Sequence, residues 1–229
     1  MPKESKATHT GKRSAVDHQL TVRIQPALMA RLEAYAVVTG RSYRDLVEVA
    51  TPHLEALRDR TDCSAHLAVL DGTEIVYIAR VADKKALTSR ISIGTRFPAH
   101  ATSMGRAILA QLPADEVRRR FTGRTLARFS AATPTTLKAL LATLEEDRAR
   151  GFIVSRSNFE AGIASVAAPL FDAEGAVVAA INISTPEATV AREALETTIR
   201  DQVVHAAKTI SEWLGHRRPR VPETRRNGQ

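Results

Sequence analysis

The sequence predicts an α+β domain, a largely antiparallel sheet with helices packed on it, and three observations lead there. Five short strand-like runs are expected after residue 60, with helical spacing between and after them. The runs fall in the order βββ, helices, ββ, helix, which is not the strict alternation of a doubly wound parallel fold. The 229 residues are 44% apolar and 25% charged, enough for a core domain of roughly 150 residues with a smaller appendage.

Element by element, residues 19–24 (QLTVRI) alternate, with Leu20, Val22 and Ile24 on one face and Gln19, Thr21 and Arg23 on the other, a short strand. Pro26 opens a helix carrying Leu28, Leu32 and Tyr35, which Gly40 stops. Ser42 and Asp45 form a capping-box signature for a second helix with the buried stripe Leu46, Val47, Ala50, Leu54 and Leu57. Pro52 lies inside that stripe and lacks an amide, so a kink or break is expected there. The run 64–81 reads as a hairpin turning at Asp71 and Gly72, and a third strand is expected around Leu87 to Ile93. Helices follow from about Thr102 to Leu112, from Pro113 to Phe121, and from Thr136 to a stop at Gly151. Two strands, Ile163 to Leu170 and Ala176 to Ser184, flank the turn DAEG, and one amphipathic helix closes the chain from about Val190 to Leu214.

Charge and composition exclude several classes. No apolar run reaches the ~18 residues of a membrane helix, and the first residues lack the apolar core of a signal peptide, so the expected location is the cytoplasm. Cys63 is the only cysteine, which excludes an internal disulfide and a multi-cysteine zinc site and agrees with a reducing compartment. Six of the eight net positive charges lie in residues 1–18 and 216–229, two polar ends expected to be disordered basic arms suited to a polyanion. There is no Ser-His-Asp signature, no metal cluster among the histidines and no glycine-rich nucleotide loop. The expectation is therefore no catalytic residues, no metal and no cofactor. Histidines 53, 66, 100 and 205 are read as structural or exposed.

Two long motifs, GTRFPAHATSMGRAILAQLP (94–113) and EAGIASVAAPLFDAEGAVVAAINIST (160–185), resemble the effector-binding domain of the IclR family of transcription regulators. LVEVATPHLEAL resembles the linker helix that precedes it, and LAVLDGTEIVYIARV its first hairpin. The form RISIGTRFPAHATSMGR with AINIST looks closest to the Pca/Pob branch, whose members answer to aromatic acids or their ring-cleavage products. The resemblance implies a GAF/profilin-like effector domain over 61–215. It also implies an effector turn at Ser103, Met104 and Gly105, and pocket walls at Ser155, Ser165, Asn182 and Ser184. The amides of that turn open a helix and suit a carboxylate, and Gly105 would let it approach closely. Phe97, His100, Met104 and Phe152 are candidates for an apolar wall, and Arg90, Arg96 and Arg156 for a second carboxylate.

Family members normally carry a winged helix-turn-helix before the linker helix. Here residues 19–60 instead resemble a ribbon-helix-helix unit continuing into that linker. A six-residue strand cannot satisfy its backbone alone, so two chains would pair their strands, making a homodimer, with a tetramer left open. The ribbon would read operator DNA through Gln19, Thr21 and Arg23, while Ser42, Tyr43 and Arg44 at the second helix start would meet phosphate. The alternative takes LTVRI as the remnant of a wing strand with an elongated linker. The function expected is thus a DNA-binding regulator sensing a small carboxylic acid. An effector module without DNA binding and an enzyme acting on such an acid are the two rivals.

Overall fold

The structure is a computed structural model that describes residues 42–83 and 91–216. The strand expected at 19–24, with Gln19, Thr21 and Arg23, and the helix expected from Pro26 to Gly40 lie outside the described residues, as do Arg90, the basic end at 1–18 and the basic end beyond residue 216.

Helix α1 spans Tyr43–Thr61 and starts where the capping box predicts: Ser42 Oγ accepts from the Asp45 amide, and the Asp45 carboxylate accepts from the Ser42 amide. It does not break at Pro52. Proline removes one backbone bond there, but Val47, Ala50, Leu54 and Leu57 are buried on both sides of it and hold the helix in one piece.

Strands β1 (Ser64–Asp71) and β2 (Glu74–Val81) form the predicted hairpin. The turn pair is Gly72 and Thr73, one residue later than expected, because Asp71 still pairs with Glu74 and Gly72 takes the positive φ the tight turn needs. Of the third strand expected around Leu87 to Ile93, residues 87–90 lie outside the described residues and 91–93 are irregular; β3 is Arg96–Pro98. Helices α2 (Ser103–Leu109), α3 (Ala114–Phe121) and α4 (Leu137–Arg150) follow, the last capped by the Thr136 hydroxyl and ended at Gly151. The short strand β4, Ile153–Arg156, was not anticipated. After β5 (Ile163–Phe171) and β6 (Val177–Pro186), the expected single closing helix is two, α5 (Arg192–Glu196) and α6 (Thr198–Trp213), because Thr197 leaves helical geometry.

The six strands lie in the order β3-β2-β1-β6-β5-β4, every neighbouring pair antiparallel. Alternation along the strands builds two cores. Ala65, Leu67, Val69, Val166, Ala168, Ile181 and Ile183 point to the side covered by α1 and α6. Ala68, Tyr77, Ala167 and Ala180 point to the other side, under α2 and its neighbours α3 and α4. The expected boundary near residue 61 does not coincide with a break in packing, since α1 is buried in the same core as the sheet.

One irregularity sets the geometry of β2. Leu67 pairs with Ala79 but Ala68 pairs with Tyr77, so Ile78 is an extra residue in the strand. The bulge resets the alternation: Tyr77 and Arg80, three apart, both face the α2 side.

Candidate effector site

Directly paired residues of antiparallel strands point to the same face, so the register alone assembles a polar surface beneath α2. Ser155 pairs with Ser165, Ser165 with Ser184, and Ser184 with Ser64, a row of four hydroxyls across four strands. Two residues along each strand runs a second row: Ile153, Ala167, Asn182, His66 and Arg80. A third contains Pro169, Ala180, Ala68 and Tyr77. The four residues expected on the pocket walls, Ser155, Ser165, Asn182 and Ser184, therefore share one face.

Helix α2 closes this face from above and crosses β5 and β6. Ser165 donates to Ser103 Oγ at 2.9 Å, which ties the first residue of α2 to the middle of the serine row. Thr102 does not cap the helix with its side chain; its hydroxyl donates to the Pro98 carbonyl. Met104 is 1% exposed and belongs to the apolar core on this side. Gly105 has a packing role as well: a Cβ there would clash with the Ala99 carbonyl oxygen, so the glycine admits the backbone of the Ala99 turn.

The helix is locked at its other end. Arg106 forms a two-pronged ion pair with Asp147 of α4 at 2.7 Å for each contact, with the carboxylate only 1% exposed. Arg148 donates to the carbonyls of Ala110 and Leu112 just beyond α2. Helix α2 is thus tied to the sheet at its start and to α4 further along, over the polar face.

Aromatic rings edge the recess. The His66 ring meets Tyr77 edge-on at 5.3 Å between centroids, Tyr77 meets Phe97 at 5.7 Å, and Phe97 meets Phe159 at 4.9 Å. Phe129 and His100 continue the chain, and His100 Nε2 bonds the Ala127 carbonyl. Phe97, His100 and Met104 of the expected apolar wall are therefore on this side. Phe152 is not: its ring lies under the Arg200 guanidinium, in a surface groove of about 450 Å³ shared with Arg156.

Of the cations expected to take a second carboxylate, the two described, Arg96 and Arg156, are already neutralised. Arg96 pairs with Asp71 at 2.6 Å and Glu74 at 2.9 Å, and Arg156 pairs with Glu187 at 2.7 Å. Sequence reasoning passed over Ser64, Tyr77 and Arg80, and read His66 as structural or exposed. His66 Nδ1 lies 2.9 Å from Asn182 Oδ1, and burial pushes the imidazole down to about 4, with the Arg80 charge adding to the effect and the Asn182 bond opposing it. Burial likewise holds the Tyr77 phenol above its ordinary range, with the Glu160 charge adding.

At the start of α1, Ser42 is engaged in its own cap and Tyr43 is buried, so of the three expected phosphate contacts only Arg44 presents an exposed side chain. Among the described residues no group of three metal-ligating side chains occurs, and no helix is long and apolar enough to cross a membrane.

The profile described as "Bacterial transcriptional regulator IclR C-terminal" matches residues 38–212. The chain belongs to the IclR family. It is similar to the Pca regulon regulatory protein of Pseudomonas putida, 35% identical over 200 residues that cover 79% of this chain and 68% of that protein. The crystal structure of a transcriptional regulator from Rhodococcus sp. RHA1 superposes with a TM-score of 0.70 at 39% identity, covering 83% of this chain and 76% of that one. The C-terminal domain of the Escherichia coli regulator KdgR superposes with a TM-score of 0.67 at 31% identity, covering 75% and 99%. As an IclR-family chain it is an effector-sensing transcriptional regulator and not an enzyme. The antiparallel sheet with its packed helices is the family's effector-binding architecture.

Proposed function

We propose that this regulator binds operator DNA through its amino-terminal segment and answers to a small carboxylic acid, aromatic or derived from one by ring cleavage, held between α2 and the sheet. The observation that carries the reading is the serine row with Asn182 beside it, roofed by Ser103. Hydroxyls and amides supply the donors a carboxylate needs. Ala167, Ala180 and the Tyr77 and Phe97 rings supply the apolar surface that an unsaturated acid would bury. Ser103, Ser155, Ser165, Asn182 and Ser184 are the proposed contacts, with the amides of Ser103, Met104 and Gly105 at the mouth. The name of the Pseudomonas relative, a Pca regulon regulator, is consistent with this chemistry.

For DNA, the proposed readers are Gln19, Thr21 and Arg23, with Arg44 as the phosphate contact, presented by a dimer. Bidentate side-chain contacts to a base are each worth about 1–3 kcal/mol of discrimination. The cellular site of such a protein is the cytoplasm.

Thermal-shift titration with aromatic acids and short dicarboxylates tests the first part. A saturable rise in Tm that Ser165→Val abolishes is expected. No rise with any carboxylic acid would remove the acid from the proposal. Gel retardation on the promoter adjoining the gene tests the second: specific retardation, relieved or altered by the acid and lost in Arg23→Ala, is expected. Its absence at low salt would leave an effector module without DNA binding.

A further inference from the structure

We propose that Arg80 and His66 form a two-point recognition pair for a hydroxylated carboxylate, Arg80 taking the carboxylate and His66 Nε2 accepting a hydrogen bond from the ligand's hydroxyl. The inference rests on the reading of the recess as a carboxylic-acid site and says which groups of the acid are read, and where.

Register puts the two residues directly opposite each other on adjacent strands, on the recess side of the sheet. That placement depends on the bulge at Ile78. Simple alternation along EIVYIARV would send Arg80 to the side of Val76 and Ile78, away from the recess. Bulges commonly re-aim one side chain at a functional site.

Both groups are unsatisfied. Arg80 has no ion-pair or hydrogen-bond partner among the described residues, and its Nε is buried. This contrasts with Arg96, Arg106 and Arg156 on neighbouring elements, each held by a carboxylate. His66 is 1% exposed and its Nε2 has no partner either. Since Arg80 Nε and His66 Nε2 are both orphaned, they do not satisfy one another. Buried polar groups without partners are rare, and two on directly paired residues point to a ligand that completes them.

The chemistry of that ligand follows from the hydrogen-bond roles. An amide oxygen only accepts, so Asn182 Oδ1 at 2.9 Å fixes the proton on His66 Nδ1. A neutral ring holds one proton, which leaves Nε2 as a bare acceptor. It needs a donor, and a carboxylate has none; a hydroxyl does. The guanidinium next to it needs an anion and matches a carboxylate in a two-pronged contact. A hydroxy acid satisfies both, whereas a plain acid leaves Nε2 orphaned.

Isothermal titration calorimetry on the full chain with two matched sets, benzoate against 3- and 4-hydroxybenzoate and succinate against malate, tests the proposal. Wild type is expected to prefer a hydroxylated member over its parent by about 10-fold or more. Arg80→Gln is expected to weaken every acid by about 30-fold while keeping that preference. His66→Phe is expected to erase the preference. Imidazole ¹⁵N spectra of the wild-type protein give a readout that does not depend on a variant folding: a bare Nε2 whose resonance moves with the hydroxylated acid and not with its parent is expected. A proton on Nε2, no hydroxyl preference, or unchanged affinity in Arg80→Gln overturns the proposal. If acids bind but these residues do not respond, only this proposal falls; if no acid binds at all, the carboxylic-acid reading falls with it.

Discussion

His66 shows how a single buried side chain couples stability to solution conditions. Its folded-state value of about 4 lies below the ordinary 6.5, so between those values the unfolded chain binds more protons than the native one. Stability contributed by the neutral ring is therefore full above about pH 6.5 and is lost as pH falls toward 4, in total about 3 kcal/mol. Urea unfolding at a series of pH values should show a slope across this window that is absent in His66→Gln; equal slopes in both proteins would refute the assignment. The sequence offered no means of seeing this. His66 stands in an apolar run, and what makes it more than filler is Asn182, 116 residues away, which only strand pairing brings within 2.9 Å. The serines at 155, 165 and 184, by contrast, are positions the family resemblance singles out, although their alignment in one row with Ser64 is a property of register that no local pattern encodes.

At the scale of elements, local signals located helices well and strands unevenly. The capping box at Ser42, the Thr136 cap and the Gly151 stop are short-range chemistry, and each marks a helix end in the structure. β4 escaped notice because four residues offer too little periodicity, and the break at Thr197 because a helical stripe continues across it. The bulge in β2 was likewise invisible, since one inserted residue leaves the composition unchanged while redirecting Arg80. Helix α2 makes a sharper prediction. With the Ala99 carbonyl oxygen only 2.3 Å from the position of a Cβ on residue 105, Gly105→Ala must lift the helix from its turn. The substitution is expected to destabilise by about 1–3 kcal/mol, as overpacking of a tight contact does, measured as a lowered urea midpoint with unchanged slope. Because Ser103 moves with the helix, effector affinity should fall too; an alanine variant of wild-type stability would show that the contact yields freely.

On the scale of the whole molecule, the sheet separates two layers with different tasks. The recess lies under α2, while α1, which leads back to the amino-terminal segment, packs with α6 on the opposite side. A ligand changes the output only by favouring one arrangement of these layers over another. Hydrogen exchange should therefore register effector binding not only in α2 and β5 but also as altered protection in α1 and α6. Protection changes confined to the α2 side would mean that the signal travels by another route.

Within β6, Asn182 faces the recess and its immediate neighbours Ile181 and Ile183 face α1 and α6. One polypeptide thickness therefore separates the polar face from the packing of α1 and α6, like the skin of a drum. A substitution that shifts β6 on the polar side therefore also shifts the packing on the far side, which couples the two faces along this strand.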